Sequence, residues 1–187
     1  MFIQTEQTPN PATLKFLPGR PVMESGVADF TDVEDTAPSP LARHLFELGG
    51  VTGVFFGADF ITVTKSEDTE WQVIKPLVLG AIMDHYTSGQ PIMAEGAATD
   101  ESDLMEDDDA DPDVIDQIKE LIETRVRPAV AQDGGDIIYK GFKGGTVYLH
   151  MRGACAGCPS STMTLKSGIE NMLRHYVPEV TQVEAVL

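Results

Sequence analysis

The sequence predicts two small mixed domains in tandem: an α+β N-terminal domain over residues 1–87, then an α/β C-terminal domain of order α-β-β-α-β over residues 112–187. An acidic flexible linker over residues 88–111 joins them. Three observations carry this. Runs of β-rich residues and runs of helical apolar spacing alternate along both ends of the chain. Gly and Pro clusters separate those runs. Between them the composition changes abruptly. Residues 88–113 hold 10 acids and no base, against 12 acids and 5 bases in residues 1–87 and 8 of each in residues 114–187. Dense like charge with few apolar residues cannot bury enough surface to offset the entropy of ordering. As a coil the linker spans roughly 30 Å.

In the N-terminal domain, Phe2–Thr5 and Thr13–Phe16 read as short strands either side of Pro9-Asn10-Pro11. Ser39-Pro40 reads as a helix start, with Ser39 as N-cap and Pro40 in the first turn. Leu41, Leu45 and Leu48 follow at helical spacing, and Gly49-Gly50 ends the helix. Val51–Phe56 and Phe60–Thr64 around Gly57-Ala58-Asp59 make a hairpin signal. Trp71–Tyr86 reads as a second helix with Ile74, Leu77, Val78, Ala81 and Ile82 on its apolar stripe. His44 and His85 stand apart from other candidate ligands and read as helix-surface residues.

In the C-terminal domain, Val114, Ile118, Leu121, Ile122 and Val126 mark an amphipathic helix that Asp113 can cap. Arg127-Pro128 interrupts the pattern, which predicts a kink or a reorganised turn. Asp136–Phe142 and Thr146–Arg152 read as strands around Lys143-Gly144-Gly145. In the second of these, Val147, Leu149 and Met151 should face the core and Tyr148, His150 and Arg152 the open side. Ser160 or Ser161 starts another helix, with Met163, Ile169, Met172, Leu173 and Tyr176 as expected core positions. Pro178 ends it, and Val180–Val186 forms the last strand.

A net charge of −17 argues against nucleic-acid binding, which needs clustered Lys and Arg. No run of about 18 apolar residues exists, so no membrane helix is expected. Met1–Glu6 has neither the basic nor the apolar region of a secretory signal. The expected compartment is the bacterial cytoplasm, with the mitochondrial matrix as the alternative if a transit peptide has been removed.

The 187 residues contain two cysteines, Cys155 and Cys158. They lie in Gly153-Ala154-Cys155-Ala156-Gly157-Cys158-Pro159-Ser160-Ser161, between a strand and a helix. Small neighbours let the backbone wrap closely around a metal centre. The helix start supplies N–H groups and a dipole that favour thiolate over thiol. Three chemistries stay open on this spacing. A thioredoxin-type dithiol needs a Cys-x-x-Cys at a helix start, which is present, but Pro159 follows the pair instead of interrupting it. A structural zinc site needs four ligands, and His150 is the only nearby imidazole. A [4Fe–4S] cluster takes four thiolates. One chain supplies two, so a cluster would need a second copy.

The residues around the cysteines add a resemblance. Arg127-Pro128-Ala129-Val130-Ala131-Gln132-Asp133-Gly134-Gly135-Asp136 and Gly153-Ala154-Cys155-Ala156-Gly157-Cys158-Pro159 resemble two motifs of the NifU-like C-terminal domain of iron–sulfur scaffold and carrier proteins. Thr8–Phe16, Ser39–Ala42 and Gly53–Val63 resemble the companion domain of that family's carrier branch. The resemblance implies a non-enzymatic, homodimeric carrier. It would bind a [4Fe–4S] cluster between two subunits through Cys155 and Cys158 of each. The cluster would come from an upstream assembly scaffold and pass to apo iron–sulfur client proteins. Asp133-Gly134-Gly135-Asp136 reads first as a turn whose glycines supply positive φ; the alternative places its acids near the cluster, in contact with a client or iron. Arg127 and Arg152 are surface residues on one reading and counter-charges to a cluster on another.

Overall fold

A computed structural model describes residues 1–94, 107, 111–157 and 159–186. Most of the expected linker (residues 95–106 and 108–110) and Cys158 therefore lie outside the described residues. The chain divides into two compact units, Met1–Asp100 and Glu101–Leu187.

The first unit carries a five-stranded antiparallel sheet of β1 (Gln4–Gln7), β2 (Thr13–Leu17), β3 (Ala28–Phe30), β4 (Val51–Phe56) and β5 (Ile61–Lys65), in the order β1-β2-β5-β4-β3. β3 and the 3-10 turn Val33–Thr36 are too short to show a period and were not legible in the sequence. Leu14, Phe16, Val54, Phe56, Ile61 and Val63 build the core with α1 (Pro40–Glu47) and α2 (Trp71–Ser88). Ser39 is the N-cap of α1: its Oγ accepts from the Ala42 N–H at 3.1 Å and donates to the Ile92 carbonyl at 2.6 Å. Gly49 and Gly50, at φ 74° and 81°, take the left-handed conformation that ends α1.

α2 buries Ile74, Val78, Ala81, Ile82 and His85. Leu77 is exposed, because it lies about 100° around the helix from Val78. His85 is buried, one turn beyond Ala81 on the inward stripe, and is no surface residue.

The second unit begins with α3 (Pro112–Leu121), a π-helical turn (Ile122–Val126) and α4 (Arg127–Gln132). The cap of α3 is Asp111, whose carboxylate accepts from the Asp113 N–H at 3.1 Å, so Asp113 is in the first turn and is not the cap. Pro128 cannot donate to the turn before it, and the chain widens there into the π-helical turn, the reorganisation the sequence predicts. β6 (Gly135–Lys143), β7 (Thr146–Gly153) and β8 (Gln182–Val186) form a sheet in that order. β6 and β7 pair as a hairpin, and β8 runs parallel to β7. The parallel pair needs a crossover, which α5 (Pro159–Tyr176) supplies.

A register shift between Tyr139 and Gly141 re-phases β6, so that Ile137, Tyr139 and Phe142 all reach the core despite their odd and even numbers. Asp107 accepts from the Tyr139 hydroxyl at 2.6 Å and from the Phe142 N–H at 3.0 Å. In β7, Val147, Leu149 and Met151 are buried as expected, but so is Arg152. Ile169 and Leu173 anchor α5 in the core. Met163 is 68% exposed and Tyr176 41% exposed, against expectation. Met163 lies about 120° from Ile169 around the helix. Tyr176 is the last helical residue, and the Arg125 guanidinium covers its ring at 5.0 Å.

Candidate cluster-binding site

Cys155 sits in the turn that follows β7. Gly153, at φ 64°, ends the strand, and Gly157, at φ 79°, leads toward α5. The turn is held by backbone bonds from the Ala156 N–H to the Gly153 carbonyl (3.1 Å) and from the Ala154 N–H to the Gly134 carbonyl (3.1 Å). In the first turn of α5, Thr162 donates to the Cys155 carbonyl at 3.0 Å. The cysteine turn is thus anchored by the residue before β6, by the end of β7 and by α5 together. Cys158 lies outside the described residues.

Cys155 is 5% exposed and belongs to the core cluster of its unit. Burial pushes its thiol up to about 12, and the negative charges of Asp133 and Asp136 push it the same way. Desolvation and the two carboxylates thus act against the thiolate expected at a helix start.

The Asp133–Asp136 element is more than a turn. Gly134 supplies the positive φ of 80°. Gly135 pairs with Gly153 across the hairpin and abuts Cys155: a Cβ there would overlap the Sγ and stand 2.8 Å from the Arg152 carbonyl oxygen. One glycine turns the chain and the next makes room for the cysteine.

Asp136 is buried and pairs across the strands with Arg152. Its carboxylate takes a forked pair of hydrogen bonds from Arg127, Nε to Oδ1 at 2.9 Å and Nη2 to Oδ2 at 2.8 Å. Arg127 also donates to Glu123 at 2.8 Å. These contacts raise the Arg127 pKa above its ordinary value, the Asp136 hydrogen bonds most of all. Arg127 and Arg152 are therefore not free surface charges: one fixes the start of β6, and the other is buried beside the cysteine turn.

His150 alternates with the core residues Leu149 and Met151 and lies on the other side of β7. Among the described residues no three His, Cys, Asp or Glu side chains come together as a metal site. The sequence motif flagged Arg127, Gly135 and Asp136, but spacing could not show that they converge on Cys155.

Comparison with known proteins adds the family. The family described as "Scaffold protein Nfu/NifU N terminal" matches residues 3–89, and the "NifU-like domain" matches residues 118–184. The chain is 55% identical over 188 residues to "NifU-like protein 4, mitochondrial" of Arabidopsis thaliana, covering 98% of this chain and 65% of that protein. It is 52% identical over 188 residues to "NFU1 iron-sulfur cluster scaffold homolog, mitochondrial" of Homo sapiens, covering 100% of this chain and 72% of that protein. The chain thus spans about two thirds of the length of these relatives, 65% and 72%. A solution structure of a NifU-like protein from Saccharomyces cerevisiae resembles 51% of this chain and 86% of its own, at 25% identity and a TM-score of 0.46.

Proposed function

This chain belongs to the Nfu/NifU scaffold family, and on that premise we propose that it is a carrier of iron–sulfur clusters, not an enzyme. Cys155 and Cys158 of one copy and the same pair of a second copy hold one [4Fe–4S] cluster, which passes by thiolate exchange to apo iron–sulfur proteins. A homologue named for an iron–sulfur cluster scaffold supports the cargo. The four-thiolate requirement of such a cluster, against two cysteines per chain, supports the shared site. The mitochondrial names of the relatives favour the mitochondrial matrix over the cytoplasm expected from the sequence.

The observation that carries the reading is the site around Cys155. Arg127 and Asp136 fix β6, Gly135 leaves a slot, and the thiol rests in it. An enclosed thiol cannot bridge two chains from where it lies. Loading therefore requires the turn between Gly153 and Gly157 to swing Cys155 outward and release its proton. The slot holds the thiol between deliveries, sheltered from oxidation.

The test is anaerobic reconstitution of the full chain with ferrous iron and sulfide, beside the Cys155→Ser and Cys158→Ser variants. The wild type should develop iron–sulfur absorption and activate an apo [4Fe–4S] enzyme; each variant should do neither. A variant that loads and donates as well as the wild type would sink the proposal.

A further inference from the structure

We infer that the outward face of α2 in the first unit is a docking face for a basic, amphipathic helical segment of a partner protein. The inference is independent of the cluster reading, because none of its residues lies in the second unit.

A surface helix of a globular domain ordinarily turns polar residues to solvent. α2 does not. Its exposed stripe runs through Val73, Pro76, Leu77 and Met83, with Val73 at 65%, Leu77 at 47% and Met83 at 41% exposure. Its inward stripe is the buried Ile74, Val78, Ala81 and Ile82. The helix thus carries a second, outward apolar strip that its own domain leaves uncovered.

Two residues on the outward side work against the helix itself. Pro76 removes a backbone donor within the helix. Gly80 costs about 1 kcal/mol relative to Ala, yet a Cβ there would meet nothing within 4 Å. The domain's own packing does not need that glycine. Its effect is to lower the surface between Leu77 and Met83, where another chain could lie close.

Charge selects the occupant. Glu67, Asp68 and Glu70 are exposed at the start of α2, and Asp84 is exposed on the stripe itself. No ion pair engages these four among the described residues. The first three also suit the helix dipole, but Asp84, in the C-terminal half, gains nothing from it. Residues 1–87 carry 12 acids and 5 bases, so a second copy of this face would be repelled. From Val73 to Met83 the apolar strip is about 15 Å long and one helix wide, well short of the roughly 800 Å² per partner of a standard interface. A stable self-dimer through α2 is disfavoured on both counts. A transient contact with Lys- or Arg-flanked apolar side chains satisfies the apolar strip and the acids together.

The experiment titrates the isotopically labelled full chain with a synthetic helical peptide of Leu and Lys, leucines on one face, and follows backbone amide shifts. Controls are a scrambled peptide of the same composition and a version with Glu for Lys. Shift changes should centre on Val73, Leu77, Gly80 and Met83. The Glu peptide should give none. The exposed double substitution Leu77→Ser/Met83→Ser should weaken binding about tenfold with the melting temperature kept. If that variant does not fold, the wild-type shift map and Leu77→Ala decide. The inference is overturned if the scrambled peptide gives the same map, if the changes fall in residues 88–113 or the second unit, or if the substitutions leave affinity unaltered. Concentration-dependent shifts on α2 without peptide would overturn the choice of partner in favour of a second copy.

Discussion

Gly135 has no room for a side chain, because Cys155 Sγ and the Arg152 carbonyl occupy the space. Gly135→Ala should therefore push the cysteine turn away from β6. The expected result is faster iron and sulfide uptake than in the wild type, because the thiol no longer rests in its slot, with destabilisation of about 1–3 kcal/mol, read by absorbance after reconstitution and by urea unfolding. Uptake at the wild-type rate would show that the slot has no bearing on loading. Arg127 acts one step further out, through the Asp136 carboxylate. Arg127→Gln leaves a buried carboxylate short of its charged donors and should cost about 2–3 kcal/mol in the unfolding of the second unit. Arg127→Lys should recover only part of this, since an ammonium cannot make the forked pair. The sequence named both residues within one motif. It did not show their convergence on Cys155, because that depends on the Gly135–Gly153 pairing of two strands.

At the scale of elements, most of what the chain does was legible. The Ser39-Pro40 cap, the Gly49-Gly50 stop and the turn at Gly57 all follow from local chemistry, whereas the parallel pairing of the final strand came only from the structure. Ser39→Ala should lower the stability of the first unit by about 1 kcal/mol, and more where the bond to the Ile92 carbonyl is also lost; an unchanged melting temperature would remove the cap from the account. What escaped was tertiary. Met163 and Leu77 are apolar yet outward, and His85 is polar yet inward. No composition rule separates these without the neighbouring elements. His85 has a testable consequence. Burial first, then the nearby His44, lowers its pKa below the ordinary 6.5, with a backbone hydrogen bond at Gln90 working the other way. Its Nε2 has no hydrogen-bond partner among the described residues. The folded pKa is depressed, so the unfolded chain takes up the proton first as pH falls. The stability His85 contributes is present above about pH 6.5 and lost below it. The melting temperature of the first unit should drop from pH 7 to pH 5.5, and His85→Leu should flatten that drop. An equal slope in the variant would contradict the assignment.

For the whole molecule, the division of labour is between an acidic first unit with an uncovered helix face and a second unit in which the charge-balanced residues 114–187 hold Cys155. Deleting residues 1–87 should leave cluster binding intact and slow transfer to some clients, as measured by activation of apo-enzymes. Loss of cluster binding on deletion would place part of the site in the first unit. The most direct measurement is the iron, sulfide and zinc content of the anaerobically reconstituted full chain, taken with its native mass. The account predicts a dimer holding about four iron and four sulfide, released as monomers when the cluster is stripped. A monomer with one tightly bound zinc and no iron–sulfur absorption would contradict it.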